Sequence, residues 1–330
     1  MYVDNMKKTD IKIYPEISSK AYEHPTDRAA TAALGAIPLL DKVLKKISEL
    51  GFEKSLEQQM LADSIKLSDK QLPHVYSLYQ DTLTSFDIKI RPDLYIRQFP
   101  IINALTVGSS KPVVIVNSGL VSHLRENELH AVFGHETGHI LSEHVHYATV
   151  LTILQRLASS GLSSVGRMPI QGLLMVMSEW YRCTELSCDR AAAIAVDDPL
   201  PVCRLLMSTA GGGVKDLNLD AFLAQANEFL ENTDLFARHN RWVNELGRSH
   251  PYTVRRVGEL MRWVQEGEFD RIRSGNYVRR GQEPPPSEQL KAATEHYKQR
   301  FSETLDRVAG GIGKLADQMS SWIRGGDGDK

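Results

Sequence analysis

The chain has 330 residues, of which 42% are hydrophobic and 24% charged; 39 Lys and Arg stand against 41 Asp and Glu, for a net charge of -2. This composition excludes a collagenous, disordered or disulfide-built chain, and the balanced charge offers no global basic field to nucleic acid or an anionic membrane. Three irregularly spaced cysteines, Cys183, Cys188 and Cys203, suit a reducing compartment.

The amino terminus, MYVDNMKKTDIKIYP, carries no apolar core of the kind a secretory signal needs. Residues 1–28 read as a polar, only partly ordered segment. Helical spacing covers 29–50 with a break at Pro38, and a second helix is expected over 56–67. A third begins after Ser68, where Ser68 and Asp69 can cap, and ends near Thr84. Short β-prone runs follow at 88–90, 94–96, 101–107 and 113–116, separated by Pro92, Gly108 and Pro112. Their closeness predicts a small, partly antiparallel sheet over about residues 88–116.

From Gly119 to about Arg273 the period is helical. The most lipid-like stretch, 144–178, is cut by Arg156, Arg167 and the run SSGLSSVGR into pieces of about half a membrane span, so a cytoplasmic location is expected. GQEPPPSEQ, residues 281–289, is a proline-stiffened linker. In 290–330, Tyr297, Phe301, Leu305, Val308, Ile312, Leu315, Met319 and Trp322 recur at spacings of four and three, the seam of an amphipathic helix. Docking on the body is its plainest use; self-association and peripheral membrane contact are the alternatives.

The strongest chemical signal is His135-Glu136-Thr137-Gly138-His139, a pattern expected by chance roughly 0.02 times in such a chain. Histidines four apart share a helical face and can both point at one metal. Glu136, rotated about 100° around the axis, can instead reach a water on the open side of that metal. A third ligand is then needed. The continuation H-x-x-G-x-x-H is excluded, because Ser142 and Val145 occupy its positions. Glu185, on a later helix, is the candidate, and Asp189 one turn further can orient a ligating histidine. His123, His130, His144 and His146 read as packing or rim residues, and cysteine ligation by Cys183 or Cys188 is disfavoured by their helical faces.

HETGH, ELSCD and SHPYTVRRV together resemble the gluzincin metallopeptidases related to the CAAX prenyl protease and the HtpX-type heat-shock peptidase. The similarity extends over about residues 87–257 and includes NALTVG and the run VVIVNSGLVSHLRENELHAVFGHETGHI. It implies one Zn2+ per chain on His135, His139 and Glu185, with Glu136 as general base and Asp189 behind the ligands. It also implies His250 and Arg256 as oxyanion donors facing the cleft, and Asn103 and Ala104 on an edge strand that pairs with an extended substrate. Cys188 departs from the alanine common before the family's aspartate.

The expected fold is therefore α+β, mainly α: a zincin-like peptidase domain over 29–280 whose small sheet packs on the metal-site helices. The expected activity is zinc-dependent endopeptidase action on protein or peptide substrates. The alternative is a latent or non-catalytic zinc-binding chaperone or scaffold with a plugged cleft.

Overall fold

The structure, a computed structural model, describes residues 11–37, 51–108, 111–159, 164–212, 216–231 and 251–306, with single positions between them. The amino-terminal segment is corrected at once, because Tyr14, Ile17 and Tyr22 are fully buried. Three large apolar side chains in nine residues anchor what composition alone marks as a polar tail. The strap is tied to the far end of the chain: Ser18 N–H donates to Val278 O and Arg280 N–H to Glu16 O. Helix α1 (Pro25–Gly35) follows, with Pro25 in its first turn and the His24 ring accepting from Thr26 N–H.

The second predicted helix runs earlier than expected, as α2 (Phe52–Ala62), because the chain then becomes strand β1 (Ser64–Lys66). Ser68 is no cap; it closes a turn with Gln71, and α3 (Pro73–Ser85) starts at its proline. The expected strand at 88–90 is also absent. Asp87 turns the chain at φ 51° and leaves Ile90 89% exposed.

Strands β2 (Asp93–Arg97), β3 (Ala104–Val107) and β4 (Val113–Asn117) complete a sheet of order β1-β2-β4-β3. β2 runs parallel to β4, and the other pairings are antiparallel. β4 is buried along its whole length, as its unbroken VVIV run requires of a central strand. β3 pairs with β4 alone, so among the described residues its outer edge is left to the cleft described below.

The rest is helical: α4 (Ser118–His123), α5 (Glu126–Leu141), α6 (Val145–Ser159), α7 (Ser164–Val196), α8 (Leu200–Gly211), α9 (Leu219–Glu231), α10 (Thr253–Gln265), α11 (Glu268–Arg273) and α12 (Glu288–Asp306). None of the described helices is long and apolar enough to cross a membrane. On α12, Phe301 is buried and Tyr297 half-buried in the core shared with α1 and α7, so the first part of the seam faces the body. Its positions from Leu305 onward lie outside the described side chains.

α5 crosses α7 at backbone distance. A Cβ on Gly134 would stand 2.6 Å from Ala195 Cβ and 2.8 Å from Ala192 Cα; one on Gly138 would stand 2.8 Å from Ala191 Cβ. The AAAIA run and the two glycines are thus one feature, a small-residue seam that brings two helices together.

Two predictions test this frame. Gly134→Ala raises intrinsic helix propensity by about 1 kcal/mol, yet the overlap with Ala192 backbone should make it net destabilising by about 1–3 kcal/mol in urea unfolding. The second concerns Asp197, at φ 54°, which takes Arg273 with both oxygens at 2.7 and 2.8 Å and Tyr14 Oη at 3.2 Å. Burial works against its charge, but Arg273 outweighs burial and holds the carboxyl below the usual 3.8. A depressed folded pKa gives stability that is present above that value and lost as pH falls through the lower one. Asp197→Asn, which tolerates the left-handed conformation, should therefore lower Tm at pH 7, and the gap should close under acid conditions.

Candidate metal centre

α5 is fixed at both ends. At its start Glu128 Oε2 accepts from Arg125 N–H at 3.1 Å, which satisfies one of the first-turn donors. At its end Glu143 adopts φ 57°, so that Glu143 N–H reaches Ile140 O and His144 N–H reaches His139 O. That is the Schellman pattern, formed here without glycine. Between these ends His135, Glu136 and His139 are all buried. Across the seam, α7 presents Glu185 and Asp189, each at most 1% exposed.

Glu185 stands between the two imidazoles. Its Oε2 lies 3.6 Å from His135 Nε2 and its Oε1 3.4 Å from His139 Nε2. Ligands about 2.0–2.1 Å from one tetrahedral ion are about 3.4 Å apart. Two nitrogens and a carboxylate at these spacings therefore fit a zinc ion. The buried His139 Nε2 makes no hydrogen bond, which accords with a nitrogen aimed at a metal. His135, His139 and Cys188 also offer ligand atoms within 4.8 Å of one another. Cys188, however, lies 3.8 Å from the Nδ1 of His144, which itself faces His139 Nδ1 rather than the Nε2 side.

Outer contacts orient these groups. Asp189 Oδ1 meets His135 Nδ1 at 3.2 Å. Arg256, on α10, donates from Nε and Nη2 to the two Asp189 oxygens at 2.8 and 2.6 Å, and its Nη1 lies 2.8 Å from Glu185 Oε2. Thr106 on β3 donates to Glu136 Oε2 at 2.6 Å, and Tyr181 stacks flat on His139 with centroids 5.6 Å apart.

The electrostatics follow from burial set against these partners. Burial disfavours the charged His135 ring, but Glu185 and Asp189 outweigh it and push the pKa up to about 9. For His139 burial wins, with His135 adding to it, and the pKa falls to about 4. Burial raises Glu136, while His135 and Thr106 oppose it. Asp189 is buried as well, yet Arg256 holds it below the usual carboxylate value. Burial pushes the Cys188 thiol well up, against the thiolate that a metal would need.

A cleft of about 670 Å³ opens on this cluster. His135, Glu136 and Glu185 form its floor, Asn103 and Ala104 one side, and Leu205 and Tyr252 part of the other. The structure thus brings together His135, Glu136, His139, Glu185, Asp189, Asn103, Ala104 and Arg256. Arg256 lines the cleft as well, with its guanidinium engaged by the Asp189 and Glu185 carboxylates. His250 lies outside the described residues, although its neighbours Pro251 and Tyr252 line the cleft. Sequence reasoning missed Thr106, Tyr181 and His144. Tyr181 had a signal, since it precedes Glu185 by four and shares its helical face; Thr106 had none beyond lying on a strand.

A helix bearing two histidines and a glutamate, crossed by a helix bearing a third acidic donor, is the frame of a metallopeptidase. Residues 69–264 match peptidase family M48, and the chain belongs to that family. It is 32% identical over 263 residues to the plastoglobule-localized metallopeptidase 48, chloroplastic, of Arabidopsis thaliana, covering 78% of this chain and 76% of the relative. It is 25% identical over 230 residues to the protease HtpX homolog of Moorella thermoacetica, covering 62% and 76%. A protease HtpX homolog of Streptococcus pneumoniae is 29% identical over 105 residues, 31% of this chain and 35% of the relative. No solved structure matches the chain.

Removing Arg256 should leave two buried carboxylates facing each other. Arg256→Ala is expected to cost about 3–5 kcal/mol in urea unfolding of the chelator-treated protein. Arg256→Lys should recover only part, because an ammonium cannot grip both Asp189 oxygens in a fork.

Proposed function

We propose that the chain is a zinc-dependent endopeptidase acting on extended segments of protein, with His135, His139 and Glu185 holding one zinc ion. The observation that carries this reading is the Glu185 carboxylate set between two imidazoles, Oε2 at 3.6 Å from His135 Nε2 and Oε1 at 3.4 Å from His139 Nε2, beside an open cleft. Zinc bound there would supply Lewis acidity, bringing a coordinated water near pKa 7 and polarising the scissile carbonyl.

The chain's own groups do the rest. Glu136 takes the proton of the attacking water and returns it to the leaving amine; burial raises its pKa, which makes it the stronger base. Thr106 holds one Glu136 oxygen, so the base keeps one orientation. Asp189 fixes the His135 ring, and Arg256 is a strut that holds Asp189 and Glu185 in place. Asn103 and Ala104 stand at the edge of β3, where an extended substrate adds a strand beside the floor. Pro251 and Tyr252 in the cleft wall support keeping the preceding His250 as the oxyanion donor.

A second reading has one observation in its favour, the proximity of Cys188 to both histidines: a closed, non-catalytic zinc site with a scaffold role. Glu136→Gln and Cys188→Ser separate the two. Under the peptidase reading Glu136→Gln keeps about one zinc per chain and stops chelator-sensitive cleavage of a casein-type substrate, while Cys188→Ser keeps zinc and cleavage. Zinc lost on Cys188→Ser, with Glu136→Gln as active as the parent, would establish the other reading.

A further inference from the structure

His139 is supported from behind by a second line of contacts that ends outside the region matched to the family. His144 Nδ1 lies 3.3 Å from His139 Nδ1, and His144 Nε2 lies 3.1 Å from Asp27 Oδ2. His144 and Asp27 are each 1% exposed. Asp27 belongs to α1, 117 residues before His144 and well before residue 69. We propose that Asp27, acting through His144, is a positioning residue for His139, so that the amino-terminal helix forms part of the metal centre. The inference rests on the reading of His139 as a ligand.

Proton bookkeeping along the line has one consistent solution. A histidine that offers Nε2 to a metal carries its proton on Nδ1. His139 Nδ1–H therefore donates to His144 Nδ1, which must be bare. Cys188 Sγ, 3.8 Å from the same nitrogen, can only donate to it as well, consistent with a protonated thiol. His144 then carries its proton on Nε2 and donates it to Asp27 Oδ2.

The carboxylate at the end is itself fixed. Ser187 Oγ donates to Oδ2, and Thr31 Oγ1 donates to Oδ1 at 2.9 Å while accepting from Trp180 Nε1 at 2.8 Å. Ser187 also accepts from His24 N–H at 2.8 Å, which ties the start of α1 to α7. The links from His139 through His144 and Asp27 to Ser187 are buried, and every donor in them has an acceptor. His144 reaches this place because the Schellman turn at Glu143 returns its backbone N–H to His139 O. One turn thus sets both the backbone and the ring of the relay. Asp189 does for His135 directly what Asp27 does for His139 through one intermediate ring.

The test is zinc affinity, measured on the 330-residue chain by competition with a chromophoric chelator, together with the absorption spectrum of the Co2+-substituted protein. Asp27→Asn keeps the shape and removes the charge; His144→Ala removes the intermediate ring. Both should weaken zinc binding by about 10- to 100-fold and alter the Co2+ spectrum. Because the groups act in series, the double variant should lose no more than His144→Ala alone. Leu34→Ala, which opens a cavity in the same helix without touching the relay, should leave affinity unchanged. Parent-like affinity in Asp27→Asn and His144→Ala overturns the proposal. So does an equal loss in Leu34→Ala, which would assign the effect to packing. If the parent chain binds no zinc, or His139→Ala binds as the parent does, the ligand reading itself fails and the relay with it.

Discussion

The crossing of α5 and α7 is the constraint on which the centre depends. Two imidazoles on one helix and a carboxylate on another can share an ion only if the helix backbones nearly touch. Gly134 and Gly138 remove side chains from one surface, and Ala191, Ala192 and Ala195 reduce the other to methyl groups. Gly138, the fourth position of the His135–His139 motif, is therefore a packing residue. One extra methylene of separation would exceed what an imidazole or carboxylate rotamer can recover.

That contact also sets the electrostatics. Once the helices touch, Glu185, Asp189, His135, His139 and Arg256 are all buried at the base of the cleft, where an unpaired charge costs several kcal/mol. The arrangement offsets this by alternating sign: guanidinium between carboxylates, carboxylates against imidazoles. Arg256 on α10 matters for that reason, since it supplies the cation that the two α7 carboxylates need whether or not a metal is present. The opposite directions in which the His135 and His139 pKa values move express the same asymmetry: one ring has a second carboxylate, Asp189, against it and the other has a histidine.

The small sheet serves the site more than the core. β3 gives one face to the floor through Thr106, which holds Glu136, and its unpaired edge to the cleft. β3 thus carries both the hydroxyl that holds Glu136 and, among the described residues, a strand edge that opens on the cleft. The strap and α1 close the molecule behind the floor, joining residues near 17 to residues near 279 and Asp27 to His144.

The sequence by itself determined the class of the centre. Two histidines four apart, a glutamate beside the first and an E-x-x-x-D later are helical-face statements, and a helix's 3.6-residue period holds whatever surrounds it. The VVIV strand, the mainly helical remainder and the docking seam at Tyr297 and Phe301 were legible for the same reason, as local periodicities. Boundaries set by competition were not: β1 replaces the end of a helix because β2 offers it an edge, and 88–90 is a turn because Asp87 ends α3 there. Only the tertiary structure decided that Arg256 grips Asp189 and Glu185, that Thr106 holds Glu136, and that Asp27 stands behind His144. Those contacts join residues 30 to 117 positions apart and carry no local pattern. They form because a buried charge must find a partner, and only the packed chain determines which partner is near.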